Sequence, residues 1–267
     1  MDLLALDFMR KALLAGALVG LAAPSVGIFL VQRRLSLMGD GIGHVVFMGV
    51  AAGLVLGISP IATGLVFAIG GAAAIEVLRQ RGKTSSDVAL ALIFYMGIAG
   101  GLFFLGLGQT STLKISGYIF GAVLTVNATD MTIVTAVALT TVGVTLALRK
   151  HLFAIAYDEE IARVAGLPVT ALNLLIAVMA AMTVAVTAKV VGVLLVSSLL
   201  VLPVAAVQQL TNSFKATFYG GLAMGVFVTT MGIVIAFYTD QIPSATIVLL
   251  SIALFVIASG IRVLRRG

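Results

Sequence analysis

Apolar residues arrive in long blocks, each cut short by a small group of polar or charged residues. The cuts fall at Arg33-Arg34, Ser59-Pro60, residues 79–87, Arg149-Lys150-His151, the stretch from Lys215, and residues 239–243. Between them lie apolar runs near 12–32, 38–57, 60–79, 87–107, 131–149, 170–188, 190–210, 216–237 and 244–262. A helix of about 20 apolar residues crosses the hydrocarbon core of a bilayer. The pattern therefore predicts an all-α polytopic membrane protein with about nine transmembrane helices. Residues 1–267 form a single transmembrane domain, since no segment has the length and polarity of a separate soluble one.

Two segments break the pattern. Residues 110–128 are amphipathic, short and polar, which predicts an external or re-entrant half-helix; inside a membrane such a piece survives only where protein satisfies its backbone. The other is the charged stretch 151–169. Asp158 can cap a short helix carrying Glu159 and Glu160 in its first turn, where the helix dipole favours them. Gly166 and Pro168 then stop it. The expectation is a cytoplasmic helix lying along the membrane, its acidic residues and Arg163 on display. In so apolar a chain this reads as a docking element rather than a solvated face.

Composition sharpens the class. Hydrophobic residues make up 61% and charged residues 10% of the chain, with mean hydropathy +1.22, whereas soluble domains carry about 25% charged residues. The net charge of +6 does not imply nucleic acid, because the basic residues sit at span ends. With the 149–169 loop in the cytoplasm, Arg33, Arg34, Arg79, Arg81, Lys83, Arg149, Lys150, Arg163, Lys215, Arg262, Arg265 and Arg266 fall inside. Arg10, Lys11, Lys114 and Lys189 fall outside, which puts the N-terminus outside too. Asp2 and Asp7 ahead of Arg10-Lys11 predict a retained first span, not a cleaved signal. With no cysteine, neither disulfides nor thiolate metal sites arise.

Asp40 and His44 supply the candidate chemistry. Positions i and i+4 share a helix face, and an Asp at mid-membrane costs about 2.5–3.5 kcal/mol. Carboxylate plus imidazole is the ligand chemistry of zinc, manganese or iron. Two ligands leave a shell to be completed by water or another helix, which suits a transit site that must release its ion. The plainer reading is a hydrogen-bonded pair gluing two helices. Met38, Met48, Ser197 and Ser198 are candidate pore-lining residues. Thioether sulfur, however, is soft and methionine usually fills gaps, and serines in spans commonly bond back to their own helix. Gly39, Gly41, Gly43, Gly49 and Gly53 read as close helix packing rather than a helix break. Asp130 and Asp240, near external span ends, would attract cations or, for Asp130, cap a helix; His151 reads as an interfacial cation. Spans 1–4 and 6–9, offset by an odd number, suggest inverted repeats with the pathway between them. No G-x-x-x-x-G-K-[ST] phosphate loop occurs, and no nucleophile–base set or metalloprotease motif, so the chain is not read as an enzyme.

Three segments together resemble the permease subunits of bacterial zinc/manganese/iron uptake ABC transporters, the ABC-3 metal permease family. They are RRLSLMGDGIGHVVFMGVAAG at 33–53, YDEEIARVAGLPV at 157–169 and KVVGVLLVSSLLVLPVAAV at 189–207; SATIVLLSIALF at 244–255 also fits. The resemblance implies a type II, cobalamin-importer-like ABC permease fold in the bacterial plasma membrane. It implies a homodimer, cytoplasmic ATP-binding subunits that hold the ATP, and an extracytoplasmic metal-binding protein. Asp40 and His44 would then meet the transported Zn2+ or Mn2+, with Fe2+ a lesser alternative, and the chain itself would bind no cofactor. Residues 157–168 would be the coupling helix, with Asp158, Glu159, Glu160, Arg163 and Gly166 contacting the ATPase. Val204 and Gln208-Gln209 depart from the family's usual residues and leave the metal open. The alternatives are a proton-coupled secondary cation transporter and an ABC permease for a metal chelate or cobalamin.

Overall fold

The computed structural model describes residues 6–80, 86–108, 112–121, 123 and 126–265. Arg81, Lys83 and Arg266 from the charge count, and parts of 110–128, lie outside the described residues, as does the Lys114 side chain. The helices are α1 (Asp7–Gln32), α2 (Met38–Leu56), α3 (Pro60–Gln80), α4 (Ser86–Leu107), α5 (Thr112–Phe120), α6 (Ala128–Tyr157), α7 (Glu159–Val164), α8 (Val169–Val191), α9 (Val196–Leu210), α10 (Phe214–Thr239) and α11 (Pro243–Leu264). A 3-10 turn, Val193–Leu195, leads into α9. Among the described residues nine helices, all but α5 and α7, are long and apolar enough to cross a membrane.

Most boundaries follow the sequence pattern, but α6 does not stop at residue 149. It runs for 30 residues, through Arg149, Lys150 and His151. Charge ends an apolar crossing, not a helix, and Lys and Arg are good helix formers. The stop is Asp158, whose extended backbone (φ −156°) closes α6 and whose carboxylate accepts from the Glu160 and Ile161 amides to cap α7. At 1.5 Å per residue α6 is about 45 Å long, against about 30 Å for the hydrocarbon core. Its last turns outreach the bilayer.

Cross-helix bonds fix which ends lie together. Arg33 at the end of α1 and Arg79 near the end of α3 both pair with Glu159 beyond α6. Arg262 of α11 donates to Gln209 of α9 at 2.6 Å. One face thus gathers the basic span ends, as the charge count for the cytoplasmic face requires.

The packing partners reproduce an inverted repeat. As α1 packs on α10, so α8 packs on α3; as α2 packs on α3 and α4, so α9 packs on α10 and α11. The long helix α6 leans on both α1 and α8, between the halves. Membrane helices gain little from apolar burial against each other, so close approach through small residues carries the association. At the α1–α9 crossing a Cβ on Gly27 would overlap the Leu200 carbonyl.

Candidate functional site

Asp40 and His44 occupy the first two turns of α2, which pass antiparallel against the start of α9. Gly39 faces Ser197 and Leu200, and Gly43 faces Val193 and Val196. Beyond Leu200, α9 continues to Leu210, about 15 Å further toward the cytoplasmic face. Met38 thus begins α2 short of the end of α9 and beside Glu76 and Arg79 of α3, and Asp40 sits in its first turn, where the helix dipole favours a carboxylate. The glycines run within a continuous helix, in close contact with α3, α4 and α9, in keeping with packing rather than a break.

Ser197 donates its hydroxyl hydrogen to Asp40 Oδ1, joining positions 157 apart in the chain. Ser198 instead bonds back to the Leu195 carbonyl. Ser198 thus follows the back-bonding reading, while Ser197 ties α9 to α2. His44, half-buried, packs against Phe94 of α4 edge-on, ring centroids 4.3 Å apart. Behind it Gly97 lets α4 lie directly on the His44 backbone: a Cβ there would stand 2.5 Å from the His44 carbonyl carbon. A cleft of about 260 Å³ opens beside the pair, lined by Leu37, Asp40 and Gly41 of the α2 start and Leu90, Phe94 and Tyr95 of α4.

The methionines stand apart from this cleft. Met38 is buried in a crevice with Leu35, Ile75 and Glu76, and the Met48 sulfur lies over Gly100 of α4. Both fill gaps between helices. No group of three His, Asp or Glu side chains able to hold a metal occurs among the described residues. Asp40 and His44 offer one carboxylate and one imidazole, one helical turn apart.

The charged stretch departs from expectation in one respect. Glu159 does not face outward but turns toward the helix ends, where it accepts from Arg33, lies 3.6 Å from Arg79, and accepts from Asn173 of α8 at 3.0 Å. Arg79 in turn holds Glu76 at 3.0 Å. Burial, reinforced by Arg79, pushes the Arg33 guanidinium down to about 10 against the pull of Glu76, so it stays cationic at neutral pH. The outward surface of α7 mixes apolar and charged side chains: Ile161 and Val164 are 64% and 91% exposed, beside exposed Tyr157, Glu160, Arg163 and Gly166. A short helix rooted by one carboxylate and three donors shows two large apolar side chains and two charges on its free side.

At the other end, Lys189 of α8 lies 3.3 Å from Asp130 of α6 and over the Tyr118 ring of α5, 4.8 Å from its centroid. Asp130 also completes a capping box with Asn127. Gly121 and Gly192, both at positive φ, meet backbone to backbone there, where no Cβ fits. Asp130 is thus neutralised and engaged in capping. Asp240 ends α10 in the left-handed region, exposed. The sequence reading passed over Glu76 and the buried pairing of Lys189. A charge inside an apolar run was the available signal.

Among the described residues, nine long apolar helices around a partly buried carboxylate and imidazole on α2 make this a multi-pass membrane protein of the plasma membrane. The chain belongs to the ABC 3 transport family, whose sequence profile matches residues 5–262. It is 35% identical over 253 residues to a "Probable metal transport system membrane protein" of Treponema pallidum, covering 94% of each chain. It is 26% identical to the "Manganese transport system membrane protein MntC" of Listeria monocytogenes, covering 94% of this chain and 90% of that one. Its fold is similar to the solved structure "PsaBC from Streptococcus pneumoniae in complex with Fab" (TM-score 0.86, 28% identity, 96% of this chain and 92% of that one).

Proposed function

We propose that this chain is the membrane-spanning permease subunit of an ABC importer that carries a divalent transition metal ion, zinc or manganese, into the cytoplasm. The observation that carries the reading is Asp40: a partly buried carboxylate in the first turn of a membrane span, held by Ser197, one turn from His44 and open to a cleft. Carboxylate oxygen and imidazole nitrogen suit both ions, and selectivity between them rests on geometry and ligand count. A second copy of the chain, or water, supplies the remaining ligands. An incomplete shell also favours passage, since an ion bound by few ligands leaves readily.

Energy enters from partner chains. Cytoplasmic ATP-binding subunits seat the outer face of α7, with Ile161 and Val164 as its apolar anchors and Glu160 and Arg163 beside them, and an extracytoplasmic metal-binding protein delivers the ion. The chain itself performs no catalysis. Glu159 links α7 to Arg33, and five positions separate Arg33 from the start of α2. A push on α7 therefore reaches the helix bearing Asp40 and His44 through an ion pair and one short turn.

Uptake of radioactive zinc and manganese tests this in cells lacking their own importers and expressing the full transporter. Asp40→Asn and His44→Ala are expected to lower uptake at least ten-fold while the subunits still assemble and hydrolyse ATP (roughly 1.4 kcal/mol per decade of rate). Normal uptake by both variants would mean the pair only holds helices together. Uptake that persists without the ATP-binding subunits would remove the importer reading.

A further inference from the structure

Where α6 and α10 both lean on α1, a groove of about 210 Å³ opens between them on the basic face. Arg149 and Lys150 come from α6 and Lys215 from α10, with Phe153, Phe214 and Tyr219 between them. Arg149 donates to the Tyr219 hydroxyl at 2.7 Å, which ties the two walls. The Phe153 and Phe214 rings pack tilted, centroids 4.4 Å apart, with Phe29 of α1 behind Phe214 at 5.8 Å. Among the described residues none of the three cations pairs with a carboxylate, and no acidic side chain lines the groove.

The depth matches a headgroup. Arg149 lies 21 residues after Ala128, the start of α6, or about 31 Å along the helix, the thickness of the hydrocarbon core. Toward the membrane centre the same walls turn apolar and stay uncovered. On α10, Phe227, Met231 and Ile235 follow Tyr219 at helical spacing, all exposed; on α6, Leu146 and Leu139 lie on the membrane side of Arg149, also exposed. Cations and rings at the rim above exposed apolar stripes match an amphiphile with an anionic head and two apolar chains. The groove's rim meets spans whose exposed apolar faces the bilayer covers, so the head of a bilayer lipid is the anion nearest to it.

We propose that this groove binds the phosphodiester headgroup of an anionic phospholipid of the cytoplasmic leaflet. Arg149, Lys150 and Lys215 surround the phosphate, and the acyl chains lie along the α6 and α10 stripes. Each basic residue near an anionic surface contributes roughly a five-fold preference, so three give on the order of 100-fold over a zwitterionic lipid.

The test uses the full chain in non-ionic detergent, with native mass spectrometry of retained lipid and thermal unfolding followed by circular dichroism. Phosphatidylglycerol, phosphatidylcholine and glycerol 3-phosphate are added in turn. The wild type is expected to retain phosphatidylglycerol and to unfold several degrees higher with it, and to respond to neither of the others. Arg149→Gln/Lys150→Gln/Lys215→Gln should lose that preference, while Arg265→Gln, elsewhere on the same face, keeps it. If the triple variant misfolds, Lys150→Gln/Lys215→Gln alters exposed side chains alone and should weaken retention about 25-fold. Equal stabilisation by phosphatidylcholine would overturn the proposal, as would unchanged retention in the double variant. A response to glycerol 3-phosphate would reassign the groove to a soluble anion. In the assembled transporter, a triple variant that keeps its lipid but no longer co-purifies the ATP-binding subunits would overturn the proposal in favour of a protein-docking surface.

Discussion

Two adjacent serines show how much one hydroxyl's direction decides. Ser197 reaches across to Asp40, while Ser198 satisfies itself on the Leu195 carbonyl. Ser197→Ala should leave Asp40 without that donor, lowering metal uptake several-fold at unchanged protein level. Ser198→Ala should be near silent, since a neutral intrahelical bond of this kind contributes about 1 kcal/mol or less. Uptake measured beside immunoblots of membrane fractions distinguishes them, and equal losses would contradict the assigned partners. Asp40 and His44 were legible in the sequence because ionisable side chains stand out in apolar runs. The Ser197 bond and the Phe94 contact were not, because local spacing says nothing about partners on other helices.

At the scale of the element, α7 depends on Glu159. Its carboxylate receives Arg33, Arg79 and Asn173, and the Arg33 side chain is 7% exposed. Glu159→Gln removes the carboxylate paired with a largely buried guanidinium, leaves Glu76 as its remaining counter-charge, and, with Glu159 partly open to solvent, is expected to destabilise the chain by about 1–2 kcal/mol. Glu160→Gln, on the exposed side, should stay within about 0.5 kcal/mol. Thermal unfolding of both variants checks this, and Arg33→Glu/Glu159→Arg should recover part of the loss. The sequence predicted this helix and its Asp158 cap correctly, because capping is local chemistry. It could not tell which acidic residue faces inward, since that depends on where α1, α3 and α8 end. The end of α6 was misplaced for a related reason: charges mark the membrane boundary, whereas a change of backbone direction marks the helix boundary.

For the whole molecule, hydropathy was enough for the count of spans, and the odd offset of the halves suggested the inverted repeat now visible in the packing of α1 on α10 and α8 on α3. The closeness of the halves was beyond reach, since it depends on which glycine meets which backbone. The length of α6 has a different kind of consequence. A rod of 30 residues joins α7 through the single residue Asp158, while Glu159 ties α7 to the ends of α1, α3 and α8, so a shift of α6 in the membrane pulls α7 against those three helix ends. A bilayer thicker or thinner than its apolar stretch tilts such a helix, and tilting moves its far end. The transporter would then sense membrane thickness: reconstituted into lipids of increasing acyl length, it should transport fastest at one intermediate length, and a flat dependence would show that α6 is held upright by its neighbours.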